Sequence, residues 1–226
     1  MDKLTWYGHA TFGLELGEYK LLVDPFFNQN PLSPVKAEKI EADFILITHG
    51  HFDHIGDAES IAKRCNSTLI ANAEIAGWLH GKKLNTHAQQ IGGGFSHPFG
   101  YVKLTPALHG SKLPDGSYGG LAAGFIITTN AGKKIYLAGD TGLFSEMELI
   151  GEEGIDLAVI PIGDNYTMGP DDALRAVKML QPTTVIPMHY NTWELIHQNV
   201  DAWKTRVEAE TSATVQILKP GESFEF

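Results

Sequence analysis

The sequence predicts a layered domain of mixed α and β structure, on three observations. Short apolar runs rich in β-branched residues recur along the chain, among them Phe44–Ile47, Leu157–Ile160 and Thr184–Pro187, and their length suits buried strands better than helices. Strands come first, then strand alternates with helix, and the pattern then repeats. Of 226 residues, 43% are hydrophobic and 19% charged, which provides for a core and argues against disorder. This length suits one domain, or two tightly fused halves, and no low-complexity segment or linker divides it.

Leu4–Glu15 and Lys20–Val23 read as a hairpin around Gly17-Glu18, ended by Asp24-Pro25. Residues 26–39 carry Pro31 and Pro34 and read as a loop. It is long for a plain connection, so it is expected to wall a pocket. After the Phe44–Ile47 strand, Asp57 is placed to cap a helix ending at Cys65. A strand at Thr68–Ala71 precedes a helix at 73–80 with Gly81 at its end. Asn85–Ile91 and Tyr101–Leu108 read as strands joined through Gly92-Gly93-Gly94. Leu121–Thr128 and Lys133–Leu137 form a hairpin around Asn130-Ala131-Gly132. A short helix at 144–150 leads to the Leu157–Ile160 strand. Pro170 suits the first position of a helix to Leu180, with Asp171 and Asp172 at its positive end. The Thr184–Pro187 strand, a helix at 200–210 and a strand at 214–218 complete the chain.

A net charge of −10 argues against a nucleic-acid surface, which needs a basic stripe. It leaves room for a local pocket for an anionic small molecule. The single cysteine, Cys65, forms no internal disulfide and reads as buried and inert. The opening MDKLTWYGHA lacks the apolar segment of a signal peptide, and no apolar run approaches the roughly 20 residues that span a bilayer. A cytoplasmic protein without stable membrane insertion is expected, and self-association is left open.

The chemistry is concentrated in FILITHGHFDHIGD, residues 44–57. His49, His51, Asp53 and His54 fall within six residues directly after a buried strand. Imidazoles with a carboxylate are the donor set of a borderline divalent metal. Four donors in one loop do not easily wrap one ion. The spacing is easier to explain by two ions side by side, His49 and His51 on one, Asp53 and His54 on the other. A His-rich surface loop is the bland alternative, and the density of donors speaks against it.

His49-x-His51-x-Asp53-His54 resembles the signature of the metallo-β-lactamase superfamily. WYGHATFGLELGEYKLLVDPF near the start and NYTMGPDDA later resemble a subgroup of small bacterial and archaeal metal-dependent hydrolases. That subgroup is related to ascorbate-6-phosphate lactonase and N-acylphosphatidylethanolamine phospholipase D. The resemblance implies a four-layer αββα sandwich. It implies further ligands in His109, a metal-bridging Asp140, and His189, each following a strand-like run. His49, His51 and His109 would hold one ion and Asp53, His54 and His189 the other, with Asp140 joining both. Zinc is the first expectation for the two divalent ions, with manganese, nickel or iron as alternatives.

The activity implied is hydrolysis of an ester-like bond, a phosphodiester, phosphoester or lactone, by a hydroxide bridging the two metals. Asp53 is the expected proton carrier. No G-x-S-x-G motif or P-loop offers a competing chemistry. The other class of function is a metal-binding scaffold or sensor without turnover, and the complete ligand set weighs against it. Tyr166, Thr167 and Met168 are expected to line the substrate pocket, with an ordinary capped helix start as the alternative. Asp24 is expected to orient a ligand histidine, or else to serve as a turn residue before Pro25. His9 is expected to contact substrate or to pack beside the site. His80, His87, His97 and His197 match no ligand position and read as structural or surface residues.

Overall fold

The computed structural model describes residues 2–226. Fourteen strands form two seven-stranded sheets. The first contains β1 (Lys3–Trp6), β2 (Phe12–Leu16), β3 (Tyr19–Val23), β4 (Phe44–Leu46), β5 (Thr68–Asn72) and β6 (Asn85–Gln89). The second contains β7 (Gly94–His97), β8 (Gly100–Pro106), β9 (Ala123–Thr129), β10 (Lys134–Leu137), β11 (Leu157–Pro161), β12 (Thr184–Met188) and β13 (Thr214–Val215). The last strand, β14 (Ser223–Glu225), returns to the first sheet beside β1. Six helices join them: α1 (Phe52–Ile55), α2 (Ala58–Cys65), α3 (Ala73–His80), α4 (Met147–Gly151), α5 (Pro170–Leu180) and α6 (Val200–Glu210).

Each sheet is antiparallel on one side and parallel on the other. The orders are β14-β1-β2-β3-β4-β5-β6 and β13-β12-β11-β10-β9-β8-β7. Pairs from β14 to β3 and from β7 to β10 are antiparallel, whereas β3 to β6 and β10 to β13 are parallel. The parallel strands are covered on both faces, so they are apolar without alternation. In β4, Leu46 belongs to the core between the sheets, while Ile45 packs under α2 and α3 with Leu69, Ile61 and Leu79. On the second sheet, Leu174, Val177, Trp203 and Val207 from α5 and α6 join the core. The result is the four-layer αββα sandwich.

Three departures from the sequence reading affect the site. The first predicted strand is broken into β1 and β2, because Gly8 (φ 95°) and His9 (φ 56°) turn the backbone through the left-handed region. That break takes His9 out of the sheet. The stretch after Gly92-Gly93-Gly94 is a strand of its own, β7, and the chain crosses there from one sheet to the other. The 26–39 loop does not line the metal-site cavity described below. Cys65 is also only partly buried, at the C-terminus of α2.

Asp57 precedes α2 as expected, but its carboxylate does not cap that helix. It accepts hydrogen bonds from the backbone N–H of Phe27 (2.7 Å) and Asn28 (3.0 Å) and from Asn28 Nδ2 (3.0 Å). The 26–39 loop is therefore tied to the segment that carries the histidine motif. Asp57→Ala should lower unfolding stability by about 1–3 kcal/mol and speed proteolysis within residues 26–39. Denaturant midpoints and cleavage mapping check this, and an unchanged midpoint would show the three bonds to be energetically idle.

Candidate metal centre

β1, β3 and β4 run in one direction in the first sheet, as do β8, β10, β11 and β12 in the second. Their carboxyl ends therefore meet along one edge, where ligand sites of such sheets form. His9 follows β1, Asp24 follows β3, and the motif from His49 to His54 follows β4. His109, Asp140 and His189 follow β8, β10 and β12. Gly139 makes the last approach of Asp140 feasible: at φ 63° a Cβ there would lie 2.9 Å from the Thr48 side chain.

The donor atoms converge. His49 Nε2 lies 3.0 Å from His51 Nδ1, which lies 3.3 Å from His109 Nε2. Asp140 Oδ2 stands 3.3 Å from His54 Nε2, 3.1 Å from His189 Nε2 and 3.6 Å from His109 Nε2. Asp53 Oδ2 is 3.9 Å from Nε2 of both His54 and His189. Tetrahedral bonds of about 2.0–2.1 Å hold ligand atoms roughly 3.3 Å apart, so these separations fit donors aimed at shared ions. His54 Nε2, His189 Nε2 and Asp140 Oδ1 are buried without a hydrogen-bond partner, a costly arrangement that a cation would relieve. The donor chemistry and the orphaned atoms both fit divalent metal.

The supporting contacts hold these rings in place. Asp24, 1% exposed, accepts a hydrogen bond from His54 Nδ1 at 2.8 Å, which leaves Nε2 facing the cluster. The same carboxylate accepts from Thr48 Oγ1 (2.6 Å) and Thr48 N–H (2.8 Å). His9 is fully buried, with Nε2 3.0 Å from Asp53 Oδ2 and Nδ1 2.8 Å from Thr192 Oγ1. Its backbone carbonyl also accepts the His189 N–H at 3.1 Å. Thr48 and Thr192 carried no signal in the sequence, because each acts through a neighbour distant in the chain.

A cavity of about 450 Å³ opens onto the cluster, lined by His51, Phe52, Asp53, His109, Asp140, Tyr166, His189 and Trp193. Tyr166 is placed there as expected from sequence. Thr167 and Met168 are not: Met168 is 2% exposed in the core, and its N–H donates to the Thr141 carbonyl at 2.9 Å. His9 and Asp24 stand behind the ligands rather than in the cavity wall. Phe52 and Trp193 escaped the sequence reading, although Phe52 lies within the motif and Trp193 four residues beyond His189.

Burial, reinforced by the charge of His54, holds His49 well below the ordinary imidazole range. Burial also lowers His51 and His109. These three are neutral, with lone pairs available, near neutral pH. His54 goes the other way: burial opposes its charge, yet Asp140 and Asp24 raise it well above the ordinary value. Burial likewise opposes ionisation of Asp140 and Asp53. The neighbouring His189 and His54 nevertheless hold Asp140 ionised, and the His9 hydrogen bond does so for Asp53. Without metal, the carboxylates thus retain a proton on His54, where a cation would otherwise sit. Burial lowers His9 to about 4, so it too is neutral at pH 7.

The beta-lactamase superfamily domain pattern matches residues 19–190. A UPF0173 metal-dependent hydrolase of Pelotomaculum thermopropionicum is 50% identical, covering 99% of this chain and 99% of the relative. Another, from Desulforamulus reducens, is 49% identical over 97% of this chain and 98% of its own. The solved structure of Igni18, a metallo hydrolase of Ignicoccus hospitalis, is 39% identical, with a TM-score of 0.91 over 100% of this chain and 99% of that one. The chain belongs to the metallo-β-lactamase superfamily, among its UPF0173 metal-dependent hydrolases. It is a metal-dependent hydrolase, and the His/Asp cluster is its candidate metal site.

Two outcomes follow from this geometry. Asp24→Ala frees the His54 ring and should weaken metal binding about 10–100-fold, measured by competition with a chelator; an unchanged affinity would leave Asp24 a turn residue. Metal uptake at pH 7 must displace the His54 proton, so protons should be released on binding, and affinity should fall as pH drops from about 7 to 5. Titration calorimetry in buffers of different ionisation enthalpy reads both effects. For the metal-free protein, the stability tied to neutral His9 is present above about 6.5 and lost as pH falls towards about 4.

Proposed function

We propose that the cluster holds two divalent ions, zinc foremost, and that the protein hydrolyses an ester-like bond, a phosphodiester, phosphoester or lactone, in a small molecule. The observation that carries this reading is the position of Asp140 Oδ2, within 3.6 Å of His109 Nε2 on one side and 3.3 Å of His54 Nε2 on the other. A carboxylate oxygen shared by two donor groups suits a bridge between ions. His49, His51 and His109 would hold one, and Asp53, His54 and His189 the other.

Divalent ions held there would acidify a water and polarise the bond under attack. The chain's own part is orientation and proton handling. Asp53 reaches the cavity at 9% exposure and is kept ionised, so it can take a proton from the attacking water and return it to the leaving group. His9 donates from Nε2 to Asp53 Oδ2 when Nδ1 accepts from Thr192, which fixes the carboxylate's direction. Divalent ions held by the cluster would set positive charge beside the Asp53 carboxylate. No helix among the described residues is long and apolar enough to cross a membrane.

Elemental analysis after gentle purification and metal reconstitution should give about two ions per chain. Asp53→Asn should keep the fold and about one ion while losing about 10²–10⁴-fold in turnover. A panel of phosphodiester, phosphoester, lactone and thioester substrates, assayed with zinc and with manganese, supplies the rate measurement. Near-parental turnover by Asp53→Asn at saturating metal would remove Asp53 from the chemistry. Silence of the parent protein across the panel would favour a metal-binding scaffold.

A further inference from the structure

Five of the eight residues lining the cavity belong to the metal cluster, and the remaining wall is Phe52, Tyr166 and Trp193. These rings come from three separate segments: Phe52 opens α1, and Tyr166 and Trp193 lie in the loops after β11 and β12. Phe52 is 57% and Tyr166 51% exposed, which is unusual for large rings grouped at one opening. The Phe52 and Trp193 ring centroids are 6.3 Å apart, inclined at 39°. Buried Phe26 braces both, edge-on to Phe52 at 5.8 Å and tilted against Trp193 at 6.3 Å. Phe52 and Trp193 are thus backed by a buried ring, while Tyr166 completes the lining as a half-exposed ring.

The wall also lacks any lysine or arginine. Lys112, an exposed residue outside the wall, contributes positive charge towards His51. An anionic group seated among the three rings would lose hydration without gaining a partner. An uncharged ring would stack against them and cover apolar surface that water now wets. We propose that the site, taken as the hydrolytic site above, accepts substrates whose non-reacting part is an uncharged aryl group held by Phe52, Tyr166 and Trp193. On this account the reacting bond faces the metal cluster and the aryl group faces outward, with Trp193 also packed edge-on against His9 at 4.8 Å.

The test uses binding of three chelating probes to the metal-loaded protein, so that it does not depend on turnover. Acetohydroxamate, benzohydroxamate and 4-carboxybenzohydroxamate share one metal-binding group and differ in what they present to the wall. Benzohydroxamate should bind at least about tenfold more tightly than acetohydroxamate, and the added carboxylate should abolish that advantage. Trp193→Ala and, separately, Tyr166→Ala should reduce the aryl advantage to about twofold while acetohydroxamate affinity and metal content stay as in the parent; Trp193→Phe should retain most of it. Absence of an aryl advantage in the parent, failure of benzohydroxamate to bind, or a full advantage in both alanine variants overturns the proposal. The substrate panel judges the hydrolase reading separately. An aryl advantage without turnover sinks that reading alone, and turnover indifferent to aryl groups sinks this one alone.

Discussion

The Asp140 carboxylate, 3% exposed and surrounded by the Nε2 atoms of His54, His109 and His189, sets demands that the rest of the structure meets. A buried negative charge is expensive unless paired. Here the pairing groups follow three different strands, β4, β8 and β12, and Asp140 itself follows β10. Two sheets are therefore needed, each with its contributing strands running the same way, so that the loops emerge at one edge. Helices cover the outer faces, which lets the central strands be apolar on both sides and hold that edge still.

Convergence of this kind has a conformational cost, and it is visible in the backbone. His9, Asp24 and His189 all adopt left-handed angles, φ 56°, 45° and 54°. Such angles cost of order 1–3 kcal/mol each for residues other than glycine and persist only where their surroundings fix them. Hydrogen bonds fix them here. Asp24 N–H donates to the Leu46 carbonyl at 3.0 Å, and His189 N–H donates to the His9 carbonyl at 3.1 Å. The strain directs the side chains inward, and the same bonds couple the N-terminal hairpin to the last ligand.

The site divides into two parts with different chemistry. Its floor is ionic, with proton positions set by mutual burial and charge, so that His49 and His54 are driven in opposite directions although they lie five residues apart. Its outer wall is aromatic and backed by Phe26. On the proposed reading the floor would carry the bond-breaking chemistry and the wall would select the molecule that presents the bond.

The sequence by itself determined most of the strand-and-helix order, though not β7, β14 or the split of β1 from β2, together with the position of the β4 strand and the density of donors from His49 to His54, because apolar periodicity and local spacing are written in neighbouring residues. The resemblance carried by that motif extended the reading to His109, Asp140 and His189 and to the sandwich. Tertiary structure alone decided the pairs that cross the chain: His9 with Asp53 and Thr192, Asp24 with His54 and Thr48, and Trp193 with Phe52 and Phe26. It also removed Met168 from the pocket, since its position in the loop gave no sign that its side chain would fill the core. The break at Gly8-His9 was missed for a related reason. A left-handed histidine is unfavourable locally, and contacts from Asp53 and Thr192, more than 40 positions away, join the local bond from Trp6 to the His9 carbonyl in holding that conformation.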